Sequence, residues 1–369
     1  MDNLEAIIEQ ILARGDLRLT AAERAALEDA PEDHELAQRI LGADAFNRGD
    51  PARSVVYSRR ALAARVTVEN QSNLISALAR AGQLEEAAEL TASPDCLMDP
   101  ITQASRMSEI NASMGRRFDA RDWGRRALDL KDAAAPAVSQ PRAILHGFDP
   151  ERPERNIIAF SLFGADNRYL HGAVRNAVVA RHLYPGWTPR FHVDESVPSE
   201  TLDALIREGS QVRRVQGLPS HRFGLFWRFL VEDDPAVALY LVRDADSVLN
   251  IRERMAVQDW LDSGQPFHVM RDWFSHSELV LAGMWGAHRG NLPGMQQRIV
   301  DFVQARANVL NSRAVDQVFL REAAWPLIRG RAKVHDSVFG RGDPFPQGCD
   351  LPGNMHVGQN ETKRRPRPG

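Results

Sequence analysis

Cysteine and lysine are nearly missing from this chain. Cys96 and Cys349 are the only two cysteines in 369 residues. They stand too far apart to suggest a disulfide framework or a thiolate metal site, and both are read as packing residues in a reducing compartment. Lysine occurs only as Lys131, Lys333 and Lys363, so 43 of the 46 basic residues are arginine. Contacts to phosphate must then come from arginine, a metal or backbone amides. No Gly-x-Gly-x-x-Gly and no Gly-x-x-x-x-Gly-Lys occurs, so neither a dinucleotide fingerprint nor a P-loop is supported. No apolar run has the length of a membrane span, and Met1-Asp2-Asn3-Leu4-Glu5 opens no signal peptide. A cytoplasmic protein is expected. A net charge of -3 argues against a nucleic-acid binder, although residues 361–369 form a short basic tail expected to be disordered. With 43% hydrophobic residues, the chain has enough apolar material for two cores.

The first 135 residues carry a helical period. Gly49, Gly82 and Gly115 are separated by two steps of 33 residues, and Ser54, Ala87 and Ala120 keep the same step. Small residues at such a period let stacked helical hairpins approach closely. The pattern resembles tetratricopeptide repeats, with Gly49, Ser54 and Ala61, then Gly82, Ala87 and Pro94, then Gly115, Ala120 and Ala127 in corresponding places. Pro94 should shorten the last helix of its repeat. Such an array could bind an acceptor or a protein partner, or serve as a structural cap. Residues 136–155, with Pro136, Pro141, Pro150 and Pro153, read as a linker.

Beyond the linker, strands and helices alternate. Strands are expected at 157–163, 189–193, 211–215 and 237–243, with helices at 169–183, 199–208 and 222–231 between them, which predicts a parallel doubly wound sheet. The fourth strand delivers Leu239-Tyr240-Leu241-Val242-Arg243 to Asp244-Ala245-Asp246-Ser247. Ligands bind beyond the carboxyl ends of strands in such sheets, and two carboxylates one residue apart suit a hard divalent cation. Asp and Ser after a strand are also ordinary turn and cap residues. Further on, 267–272 reads as a strand ending at Asp272, and 281–286 as a small-residue turn.

Together these residues resemble a GT-A glycosyltransferase over 156–360, preceded by the repeats. The resemblance implies a metal-dependent transfer from a nucleotide-sugar, foremost a uridine diphosphate sugar, to a glycan, lipid or protein acceptor. It implies that Asp244 and Asp246 hold Mn²⁺ or Mg²⁺, with His356 as third ligand or His335 in its stead. Ser161 to Tyr169 match the nucleotide-binding loop, with Asp166 and Tyr169 at the nucleotide or Asp166 as a plain helix cap, while Arg228 and Arg243 offset diphosphate charge, Arg243 otherwise pairing with a carboxylate. Ala282-Gly283-Met284 resembles a sugar-pocket segment of retaining members without its preceding Asn. Asp272, Asp316 and Gln317 are the residues expected to meet sugar or acceptor.

Two other readings use the same residues. A haloacid-dehalogenase-like phosphatase would take Asp244 as nucleophile and Asp246 as acid, and would need a downstream lysine such as Lys333. A repeat scaffold whose α/β half is degenerate would need no chemistry at all.

Overall fold

The computed structural model describes residues 2–14, 19–306 and 315–359; the expected tail at 361–369 lies outside them. The chain divides into two compact units, Met1–Ala127 and Leu128–Gly369. No helix among the described residues is long and apolar enough to cross a membrane.

The first unit is helical: α1 (Asp2–Arg14), α2 (Ala21–Glu28), α3 (Glu35–Arg48), α4 (Pro51–Ala64), α5 (Val68–Ala81), α6 (Leu84–Ala92), α7 (Pro100–Ser113) and the start of α8 (Arg117–Ala134). Its period has a local cause. Gly49, Gly82 and Gly115 follow α3, α5 and α7 with φ of 79°, 78° and 76°, a left-handed turn that glycine makes without strain. The small residues one step behind are buried: Ala87 and Ala120 are fully enclosed, and Ser54 donates to the Gly42 carbonyl at 2.9 Å. α6 stops at Ala92, two residues short of Pro94. Asp50-Pro51 and Asp99-Pro100 open α4 and α7, each Asp accepting backbone N–H groups of the first turn.

The second unit is a mixed α/β layer structure around a mostly parallel sheet. Its strands are β1 (Asn156–Leu162), β2 (Thr188–Val193), β3 (Gln211–Arg214), β4 (Leu239–Arg243), β5 (Phe267–Arg271), β6 (Met284–His288) and β7 (Ala332–Asp336). They lie in the order β3-β2-β1-β4-β6-β5-β7, and β6 alone runs antiparallel to its neighbours. The helices are α9 (Asn167–Leu183), α10 (Ser199–Arg207), α11 (Ser220–Phe223), α12 (Ile251–Ser263), α13 (Met295–Ala305), α14 (Val315–Phe319) and α15 (Trp325–Ile328).

The chain steps outward from β1 to β2 to β3, then returns to place β4 on the other side of β1. Right-handed crossovers then put the connections before and after the reversal on opposite faces. Two cores reflect this. Ile158, Phe160, Leu162, Leu239 and Leu241 meet α9 and α10 residues on one face, while Ile157, Ala159, Tyr240 and Val242 meet Phe226, Trp227 and Phe229 on the other. The reversal between β1 and β4 is the topological switch point, the place at the strands' carboxyl ends where open sheets of this kind take ligands.

Three expectations need correction. The helix expected at 222–231 is a short α11 followed by a 3₁₀ segment, Gly224–Asp233. Most of that segment is buried, and the Arg228 N–H donates to Ser161 Oγ at 3.0 Å, tying it to β1. The turn expected at 281–286 runs into β6, where a strand enclosed on both faces shows no alternation. Gly286 is needed there because a Cβ would come within 2.8 Å of the Tyr240 carbonyl. Finally, the linker expected at 136–155 lies on the second unit: Gln140 donates to the Pro326 and Arg329 carbonyls, and Ile144 exchanges hydrogen bonds with Asn291.

Candidate active site

Adjacent strand residues point to opposite faces, so Arg243 and Asp244 diverge at the end of β4. Arg243 follows Leu239 and Leu241 toward α12. Its Nε donates to Glu253 Oε1 at 3.0 Å, and Nη1 donates to the Val242 and Trp285 carbonyls at 2.8 and 2.9 Å. Tyr184 donates its hydroxyl to the same Glu253 oxygen at 2.8 Å. The expectation that Arg243 offsets diphosphate charge therefore fails on strand alternation: its guanidinium is locked into a buried strut.

Asp244 turns to the other face and meets Arg228. One guanidinium nitrogen of Arg228 donates to Asp244 Oδ1 and the other to Asp316 Oδ2, the latter at 2.7 Å. The Arg228 and Asp316 side chains are each 5% exposed, whereas that of Asp244 is 42% exposed, so a buried cation joins an inner carboxylate to an outer one. Burial pulls the Arg228 guanidinium down, but the charges of Asp244 and Asp316 outweigh it and hold its pKa above the ordinary value. Burial pushes Asp316 up to about 6 against the pull of Arg228, and the charge of Asp244 adds to the rise. The Gln317 backbone N–H donates to Asp316 Oδ1 at 2.9 Å, which orients the Asp316 carboxylate. Gly283 packs on the Asp244 carboxylate so closely that a Cβ would overlap it.

Asp246 lies beside the first turn of α9. Its side chain is 16% exposed, and Oδ2 is 3.6 Å from Arg168 Nε. Burial, then the neighbouring charge of Asp244, raises its pKa above the carboxylate norm, partly offset by Arg168. Tyr169 is raised too, by burial and then by the charge of Asp246. Asp166 caps α9, its Oδ1 accepting the Arg168 N–H at 2.9 Å. This is a structural task that places Arg168 and Tyr169.

The turn carrying both carboxylates is fixed by α9. Asn176, fully buried, donates to the Ala245 and Ser247 carbonyls at 3.2 and 3.0 Å and accepts the Leu249 N–H at 2.9 Å. Gly172, one turn earlier, lets the helix touch this turn; a Cβ there would clash with the Ala245 carbonyl. Sequence reading missed Asn176, Gly172 and Arg168. A signal existed: Asn176 is a polar residue within the apolar stripe of Ala173, Ala177 and Ala180.

The remaining candidates sit in other networks. Asp272 accepts from Arg252, from Ser337 Oγ at 2.6 Å and from the Val357 N–H at 2.9 Å, so its oxygens are occupied in holding the chain end to β5. His356 stacks on Trp273, with ring centroids 5.1 Å apart, and its Nδ1 lies 2.9 Å from the Val357 carbonyl. His335 is enclosed between His268 and Asp259, each at 2.9 Å. Lys333 pairs with Asp259 and Asp343, an edge position that leaves the phosphatase reading without its lysine.

Among the described residues no three His, Cys, Asp or Glu side chains converge as a ligand set for one ion. Two carboxylates on one turn, the outer one open to solvent, nevertheless offer the hard oxygen donors that Mn²⁺ or Mg²⁺ prefers, and Mg²⁺ in particular is commonly held by one or two carboxylates plus substrate phosphate. The donor set fits such an ion when a ligand and water supply the other oxygens.

No protein-family model matches the chain, and no curated protein matches it. Among solved structures, a mutant O-GlcNAc transferase from Thermobaculum terrenum is similar over 65% of this chain, with a TM-score of 0.36 and 19% identity. The match covers 50% of that protein's chain, so this chain spans about half of its length.

Proposed function

We propose that the second unit is a GT-A-type glycosyltransferase domain that moves a sugar from a nucleotide-sugar, foremost a uridine diphosphate sugar, to a glycan, lipid or protein acceptor. One observation carries this reading: Asp244 and Asp246 stand at the carboxyl end of β4, in the β1/β4 switch point where open sheets take their ligands, beside a fixed arginine and a carboxyl group poised near neutrality.

Asp244 and Asp246 would hold Mn²⁺ or Mg²⁺, which when bound supplies Lewis-acid neutralisation of the diphosphate leaving group. The chain's own residues prepare the place. Arg228 fixes Asp244 and brings positive charge under the site, and Asn176 holds the turn so that the carboxylates need no reorganisation. Asp316, raised to about 6 and held by Arg228 beneath Asp244, would act behind the donor sugar, with Gln317 beside it in sequence. The loop 163–166 and Tyr169 would take the nucleoside, and Gly283, lacking a Cβ, lets the chain pack against Asp244 without displacing its carboxylate. The repeats of the first unit would gather the acceptor or a protein partner.

The test is a screen of nucleotide-sugars for Mn²⁺-dependent hydrolysis or transfer, run in parallel on Asp246→Asn. Turnover of a donor by the wild type and its loss in the folded variant support the reading; full activity in Asp246→Asn would sink the assignment of Asp246.

A further inference from the structure

The two arginines at the carboxylate turn are held in different ways. Arg228 is buried, and its nitrogens bridge Asp244 and Asp316. Arg168 is a third exposed, and its approach to Asp246 at 3.6 Å is Coulombic, since among the described residues its Nε has no hydrogen-bond partner. Its guanidinium lies over the Tyr169 ring, 4.3 Å from the centroid, and donates to the Tyr169 hydroxyl. Leaving Asp246 would cost Arg168 no hydrogen bond to that carboxylate, whereas Arg228 cannot leave Asp244 without breaking a buried ion pair. Arg168 also sits in the first turn of α9, just behind Asp166 and the loop that follows β1, on the same side as the Asp244–Asp246 turn.

We propose that Arg168 is an exchangeable cation, resting on Asp246 while no divalent ion is bound and turning to the donor's diphosphate when one enters. The inference rests on the nucleotide-sugar reading above. A divalent ion on Asp246 would face a guanidinium charge within a few ångströms, so the ion alone binds against repulsion. A nucleoside diphosphate removes the conflict, because its oxygens accept the planar fork of an arginine and ligate the ion at once. Arg168 thereby makes ion and nucleotide bind together rather than separately.

The experiment is calorimetric titration of Mn²⁺ alone, and of uridine diphosphate with Mn²⁺ present, into the wild type, Arg168→Gln and Arg168→Lys. Removing one unit charge ~6 Å from a divalent ion in a solvated site should tighten Mn²⁺ alone by about tenfold. The same change should weaken uridine diphosphate by about tenfold, the loss of one charge-assisted contact. Arg168→Lys should lie between wild type and Arg168→Gln in both titrations. Shifts of the same sign, or none, in a protein whose wild type binds both ligands would overturn the role of Arg168 alone. A wild type that binds neither would overturn the nucleotide-sugar reading itself.

Discussion

Replacing Arg228 by methionine keeps much of the side-chain volume but removes the cation that joins Asp244 to Asp316, leaving a buried carboxylate beside an outer one. Breaking a buried ion pair by deleting one partner costs about 3–5 kcal/mol, because the remaining charge has lost its compensation. The cost should depend on pH. Asp316 already titrates at about 6, above an ordinary carboxyl, so the folded state binds its proton more tightly than the unfolded chain does. Stability tied to Asp316 is therefore highest below the unfolded value near 4 and falls as pH rises through about 6. Without Arg228 the carboxyl rises further, and each added unit costs about 1.4 kcal/mol once the pH exceeds the raised folded value, where Asp316 must ionise inside the protein. Near pH 8 the full penalty of about 3–5 kcal/mol should appear; near pH 5 Asp316 is largely protonated, and about 2 kcal/mol remains from lost packing and the lost bond to Asp244. Urea denaturation followed by tryptophan fluorescence reads this, since Trp123 alone of the seven tryptophans lies outside the second unit. Adding Asp316→Asn to Arg228→Met should recover much of the loss near pH 8. A cost below about 1 kcal/mol, or one equal at both pH values, would refute the bridging role.

Gly283→Ala should displace the Asp244 carboxylate, costing about 1–3 kcal/mol from overpacking and weakening Mn²⁺-dependent nucleotide binding at least tenfold by calorimetry. Asn176→Ala leaves two carbonyls and one N–H without their partner; a loss of about 2–4 kcal/mol in urea denaturation is expected, with faster amide exchange at Leu249 than in the wild type. Gly82→Ala puts a Cβ on a left-handed residue and should cost the first unit about 1 kcal/mol by circular dichroism, while nucleotide binding by the second unit stays unchanged.

Where local chemistry decides the structure, the sequence was readable. The 33-residue glycine step marks helix ends because only the backbone turn requires it, and β1 and β4 were readable as apolar runs bounded by polar turns. The Asp pair was legible by its place after β4. What tertiary packing decides was not. β6 is enclosed on both faces and partly built from small residues, so it carries no alternation, and its antiparallel run depends on neighbours distant in sequence. Arg243 and Arg228 look alike in sequence; the parity of β4 sends one to Glu253, and the 3₁₀ segment brings the other to Asp244. Asn176 acts 69 residues away from Ala245, a pairing that α9 makes possible only after it docks.

Binding of uridine diphosphate, measured by calorimetry with and without Mn²⁺ on the wild type, Asp244→Asn and Asp246→Asn, tests the central claim most directly. Binding by the wild type that requires Mn²⁺ and disappears in both variants is expected. Equal binding without Mn²⁺ or in both variants, or no binding by the folded wild type under any condition, would contradict it.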